Sequence, residues 1–145
     1  MNNTGLNRFI EAQSQTYSTA LKEIISGHKK SHWMWWIFPQ YKGLGCSDIS
    51  QYYAIQSKED ARAYWAHPIL GGRLRECIKA LIELETNDAV DVFGEVDAMK
   101  LKSCLTLFYY IGAEKLCGRA LDKFFLGGDG KAEFCRKTVD ILLWE

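Results

Sequence analysis

HKKSHWMWWIFPQ, residues 28–40, decides how this chain is read. Two histidines and two lysines run straight into an aromatic block, and three of the chain's five tryptophans stand there, at 33, 35 and 36. A core strand over 33–38 would account for the apolar half. A ligand pocket would account for both halves, because ammonium groups beside indole rings suit an anion that also has a flat apolar part. A surface loop does not normally carry so much apolar area. Pro39, Gly43 and Gly45 therefore mark 28–47 as a connector with at most a short extended piece.

Upstream, Leu6, Phe9, Ile10, Gln13, Tyr17, Ala20, Leu21, Ile24 and Ile25 recur at three- and four-residue spacing, the stripe of an amphipathic helix. Thr4 suits its N-cap and Gly27 its C-terminal stop. Gln13 is the misfit on that stripe, since a buried amide left unpaired costs roughly 1–3 kcal/mol. Downstream, Ser47 opens a short helix through Tyr53 and Ile55. Ser57 opens another in the capping-box pattern SKED, and that helix ends near His67 because Pro68 disfavours helical geometry at the residue before it. Pro68 starts a helix whose stripe is Leu70, Leu74, Cys77, Ile78, Leu81 and Leu84. Gly71 and Gly72 in its first turn permit close backbone approach, and Arg73 lies at the edge of the stripe. A short helix over Asp88 to Phe93 stops at Gly94. Asp97 reads as the N-cap of the next helix, which is apolar almost all round over LTLFYYIGA, 105–113, and so belongs at the centre. Glu114 to Leu126 and Lys131 to Trp144 complete the set, with GGDG as the turn between them. The expectation is one all-α domain over 1–145, about seven helices packed around residues 97–112, with a strand at 33–38 as the competing reading of that segment.

Composition narrows the function classes. A chain of 145 residues with 48% hydrophobic and 13% aromatic residues has the means for a dense core without a metal or disulfide staple. Its 18 basic and 18 acidic residues cancel, so it carries no electrostatic footprint for duplex nucleic acid or an anionic membrane. The same balance weakens a single-strand binding reading, which needs a basic channel. No apolar run is long enough for a membrane span, and MNNTGLNRF contains no signal peptide. The five cysteines, an odd number without a CxxC pair, read as small hydrophobes in a reducing compartment. The expected location is cytoplasmic.

Several motifs carry a family resemblance. RFIEAQ with Tyr17, HWMWWIFPQ followed by KGLG and Ser47, AHPILGGRLRE, and Asp97 with KLKS at 100–103 and TLF at 106–108 together resemble the family catalogued as domain of unknown function 1810. The similarity runs in colinear order from about Leu6 to Leu142. It implies a multi-helical fold and no established activity. The label calpastatin, borne by some members, does not suit a chain with two prolines and a core-forming composition.

The candidate site gathers polar residues that sit against apolar ones. Lys29, Arg73 and Lys100 would hold an anionic group, and Trp33 or Trp35 would stack on the ligand. Gln13 and Gln40 would orient it, the latter fixed by Pro39. Lys100 and Ser103 share a helical face near an N-terminus, where phosphate binds readily. His32 is the one obvious proton-transfer group. If the site is catalytic, hydrolysis or group transfer on a phosphate-bearing, nucleotide-like substrate is the reaction these residue types suit. The bland readings stand beside these: a basic helix end complementing its dipole, a self-satisfied network of Gln13 and Arg73, and Lys100 paired with Asp97. No Walker loop, GxGxxG, GxSxG or HExxH is present, so no cofactor is expected, and His28, His32 and Cys46 lack the spacing of a metal site. The alternative function is a protein-interaction module in which part of 33–38 lies exposed and buries itself on a protein partner.

Overall fold

The first helix, α1 (Thr4–Ser26), turns its apolar stripe inward: Leu6, Phe9, Gln13, Ala20 and Ile24 are buried. It stops at Gly27, whose φ of 83° lies in the left-handed region that a side chain disfavours. The computed structural model describes residues 4–145, with side chains from residue 5 onward, so the expected side-chain cap by Thr4 falls outside what is described.

The segment that opened the argument is helical, not extended. Residues Met34–Ile37 form a single turn, α2, anchored by Phe38 N–H donating to the Met34 carbonyl at 3.1 Å. The strand reading of 33–38 fails because no neighbouring chain pairs with it. The extended piece comes later, where Tyr41 makes an isolated parallel bridge with Ile55. Four more helices follow: α3 (Asp48–Tyr52), α4 (Lys58–Ala66), α5 (Leu70–Ile82) and α6 (Ala89–Tyr110). The last two are α7 (Glu114–Phe124) and α8 (Arg136–Trp144), giving eight among the described residues. Ser47 and Ser57 accept from Ser50 N and Asp60 N at 3.2 and 3.0 Å, the N-cap bonds their positions suggest. His67 adds one that serves the next helix, its Nδ1 accepting from Ile69 N at 3.1 Å and Leu70 N at 3.3 Å.

The core lies around the second half of α6, where Leu101 and residues 103–108 are all buried. Helices α4, α7 and α8 pack on α6, α5 lies against α1, α4 and α7, and α1 holds α2. Cys77, Cys104 and Cys117 are buried, unpaired components of this core. Burial pushes the Cys77 and Cys117 thiols up to about 12.

Several boundaries differ from the sequence expectation: α3 ends at Tyr52, short of Ile55, and α7 at Phe124, short of Leu126, because Ile55 and Leu126 each lie in an isolated bridge. The last helix starts at Arg136 rather than Lys131, because Leu126 and Ala132 bridge across the GGDG turn and Glu133 N donates to the Phe125 carbonyl at 2.8 Å. The pieces 88–93 and 97–112 form one helix with a break at Gly94, φ 80° and ψ 168°. Asp97 therefore stands in the turn after the break rather than at a cap, and its side chain is free for other work. The Gly94 backbone lies in a region open essentially to glycine alone. A Cβ there would meet nothing within 4 Å, so the cost of Gly94→Ala is purely conformational. Urea denaturation of that variant is expected to show a loss of about 1–3 kcal/mol.

Candidate functional site

The end of α1 and the loop after it are held by one carboxylate. Glu23 accepts from Lys30 N at 2.8 Å, Ser31 N at 3.0 Å, Ser31 Oγ at 2.6 Å and the Trp33 indole Nε1 at 2.9 Å. Burial pushes its carboxyl up, but these four donors more than reverse that and hold it down at about 2. The same loop is fastened to α6 through Lys29, whose N–H donates to the Val92 carbonyl at 2.8 Å. Two bonds attach α2 to α1: Gln13 Nε2 donates to the Trp36 carbonyl at 2.7 Å, and Trp36 Nε1 to Thr16 Oγ1 at 2.8 Å.

That scaffold sets a small pocket of about 180 Å³ between α2 and the turn after the α6 break. Lys29 Nζ lies 2.8 Å from Asp97 Oδ2, and Lys100 Nζ lies 3.1 Å from Asp97 Oδ1. Lys29 also donates to the Ser31 carbonyl at 2.6 Å and sits 5.0 Å from the Trp33 ring centroid. Lys100 stands 4.2 Å over the Trp35 ring, within cation–π range. Burial raises the Asp97 carboxyl, and the bonds and charges of the two lysines outweigh it, so the group is held below the ordinary aspartate value. Two ammonium groups share one carboxylate, which leaves one positive charge against the aromatic wall. His32 stands exposed at the rim of this pocket. A catalytic imidazole needs a partner to fix its tautomer, and both carboxylates of this region are engaged elsewhere.

The structure thus brings together Lys29, His32, Trp33, Trp35 and Lys100, and separates the other expected residues from them. Trp33 is 1% exposed, a core side chain packed at 6.3 Å on Phe38 and Phe93, which leaves Trp35 as the half-buried ring. Gln13 is satisfied: beyond the Trp36 bond, it donates to Tyr64 Oη at 3.0 Å and accepts from Arg73 Nη1 at 3.4 Å. Arg73 covers the Tyr17 ring at 4.9 Å, and Tyr17 donates to Glu76. Burial and that hydrogen bond push the Tyr17 hydroxyl well up. Ser103 faces away from Lys100, buried, donating to the Met99 carbonyl at 3.1 Å and to Cys135 Sγ at 3.2 Å. Gln40 is buried and lines a different cavity.

Within 33–38, Trp33, Met34, Ile37 and Phe38 are buried and Trp35 and Trp36 half-buried, because the segment packs against α1 and α6 rather than facing solvent. Among the described residues no group of three His, Cys, Asp or Glu could hold a metal ion, and no helix is long and apolar enough to cross a membrane. The residue that residue types alone did not single out is Glu23. Its signal was its place: a glutamate in the last turn of a helix opposes the dipole, which calls for donors nearby.

No curated protein matches the chain. Among solved structures it is similar to the conserved hypothetical protein Rv1873 from Mycobacterium tuberculosis, with 36% identity and a TM-score of 0.89, covering 98% of this chain and 99% of that one. The family model described as protein of unknown function (DUF1810) matches residues 3–141. With the model covering nearly its whole length and a solved neighbour of the same helical architecture, the chain belongs to the DUF1810 family.

Proposed function

We propose that the protein binds a small anionic ligand with a flat apolar part in the pocket between α2 and α6. The observation that carries this reading is the arrangement of Lys29, Lys100 and Asp97. One carboxylate serves two lysines, and the second charge lies on the face of Trp35. A phosphate-bearing, nucleotide-like molecule meets both requirements, its anion drawn to Lys100 and its ring to the exposed part of Trp35. The modest volume of about 180 Å³ suits a ligand that is only partly enclosed. Binding is the function this arrangement supports better than catalysis, since the His32 imidazole lacks an orienting carboxylate. The five unpaired cysteines suit a reducing, cytoplasmic setting.

Thermal denaturation against a panel of nucleotides and phosphorylated metabolites tests the reading. A ligand at 100 times its Kd is expected to stabilise the wild type by about 2.7 kcal/mol. Lys100→Ala should weaken that ligand about tenfold or more, and Asp97→Asn, which frees both ammonium groups, should tighten it by about the same factor. A panel with no stabilising compound, or a shift that Lys100→Ala leaves intact, overturns it.

A further inference from the structure

Trp35 is a wall of two cavities. The first is the anion pocket, where Lys100 stands 4.2 Å over its ring. The second, of about 290 Å³, lies where the chain turns from α2 into α3, and Lys100 does not line it. One indole serves both because its six-membered ring reaches the loop at Gly45: a Cβ on that residue would stand 3.7 Å from Trp35 Cη2. The part of Trp35 that walls the second cavity is thus a part that the ammonium group does not cover.

The first pocket is too small for a whole nucleotide. Sites that enclose ligands of that size measure about 300–1,000 Å³, and one of about 180 Å³ takes the anionic end alone. Its charge sets a second limit. Lys29 and Lys100 against Asp97 leave one positive charge. That answers a single phosphate monoester, whose own charge near neutral pH is about −1.5 to −2. Further phosphates would add charge that the pocket does not balance, beside the Asp97 carboxylate.

The second cavity has the opposite character. Lys42 is its one charged residue, and Glu145 answers it at 3.8 Å, so no net charge is offered. Trp35 and Tyr53, both half-buried, give it aromatic surface. Gln51 and Gln56 line it and are exposed. Gln51 Nε2 donates to the Cys46 carbonyl at 2.9 Å and Gln56 Nε2 to the Ala54 carbonyl at 3.0 Å, while neither Oε1 accepts a hydrogen bond among the described residues. A flat heterocycle with N–H groups matches this wall, its face on the aromatic rings and its N–H groups donating to the amide oxygens.

We propose that the ligand is a nucleoside monophosphate laid across Trp35, its phosphate at Lys100 and its base in the α2–α3 cavity against Trp35 and Tyr53. The inference rests on the anion reading for the phosphate, and adds to it the place of the base and the number of phosphates.

The test is a calorimetric titration of the full chain, wild type and Lys100→Ala, with ¹H–¹⁵N spectra recorded alongside. The probes are the four ribonucleoside monophosphates, their triphosphates, and ribose 5-phosphate as the phosphate without a base. At least one monophosphate is expected to bind about tenfold or more tighter than ribose 5-phosphate, and no weaker than its own triphosphate. It should shift the Gly45 backbone amide and the side-chain amides of Gln51 and Gln56, which ribose 5-phosphate leaves in place. Lys100→Ala should weaken that monophosphate and ribose 5-phosphate by a similar factor, since both lose the same phosphate contact. The inference is overturned, with the anion reading intact, if ribose 5-phosphate binds as tightly as every monophosphate, if the triphosphate binds about tenfold tighter, or if the monophosphate leaves Gly45, Gln51 and Gln56 unmoved. No binding by ribose 5-phosphate or any monophosphate, or binding that Lys100→Ala leaves intact, overturns the anion reading and this inference with it. Should Lys100→Ala fail to fold, the wild-type comparison of probes decides alone.

Discussion

Gly71→Ala is expected to destabilise the protein by about 3 kcal/mol, while Gly72→Ala, one residue on, is expected to stabilise it by roughly 0.5–1 kcal/mol. Both residues occupy the first turn of α5, where alanine outranks glycine by about 1 kcal/mol in helix propensity. Tertiary contact separates them. A Cβ on Gly71 would lie 2.0 Å from the Trp65 carbonyl oxygen, whereas one on Gly72 would meet nothing within 4 Å. The Trp65 carbonyl has little room to retreat, because Arg75 Nη1 donates to it at 3.1 Å while the same guanidinium stacks 4.9 Å over the Trp65 ring. Relief would have to come from separating α4 and α5. At this chain length 1 kcal/mol is worth about 2–4 °C, so melting curves should place the Gly71→Ala Tm roughly 6–12 °C below the wild type. Equal Tm values for the two variants would show that the α4–α5 approach is looser than this packing requires.

The second large effect belongs to Glu23. Replacing it by alanine leaves the buried Trp33 indole N–H and the Lys30 and Ser31 backbone donors without their common acceptor. Hydrogen bonds to a charged group contribute about 1.5–3 kcal/mol. Part of this set is recovered by water, and the expected loss is about 3 kcal/mol by urea denaturation. The effect should depend on pH with a definite sign. The folded-state carboxyl titrates at about 2, below its ordinary value of 4.5, so the unfolded chain takes up the proton first. The Glu23 contribution is therefore complete above pH 4.5 and is lost as pH falls toward 2. The carboxylate is half-buried, so solvent screening trims this pH-dependent part to about 1–2 kcal/mol. Glu23→Gln keeps an acceptor and removes the charge, and should flatten the acid limb of the stability curve. An unchanged acid limb in Glu23→Gln would assign that limb to another carboxylate, Asp97 foremost.

The clamp also bears on function. Lys29 reaches Asp97 because its loop is fixed at both ends, by Glu23 and by Val92. Loss of Glu23 should therefore loosen the anion pocket as well as the fold.

Much of the architecture was legible from the sequence because it rests on local rules. The three- and four-residue spacing of Leu6 through Ile25 could bury one face only as a helix, and it forms α1. The nearly uniform apolar run over 105–113 could be hidden only at the centre, and α6 lies there. Ser47, Ser57, Gly27 and Gly94 mark the starts, stop and break that their side chains, or the lack of one, dictate. The candidate site was legible in part: Lys29, His32, Trp35 and Lys100 do meet around one pocket.

What the sequence could not decide was where each polar group spends its hydrogen bonds, because that depends on partners distant in the chain. Gln13 and Arg73 find each other across 60 positions, and Ser103 turns to Cys135 rather than to the neighbouring Lys100. Trp33, just before α2, goes inward and Trp35, within it, partly outward, since Glu23 takes the first indole and Lys100 covers the second. Residue 94 breaks its helix whatever surrounds it, for the reason is in its own backbone. Residue 40 carries an unpaired amide nitrogen only because the folded chain buries it with no acceptor in reach. Periodicity and backbone preference are properties of neighbours in sequence, and they determined the helices. Pairing, burial and empty space are properties of neighbours in three dimensions, and they determined the site.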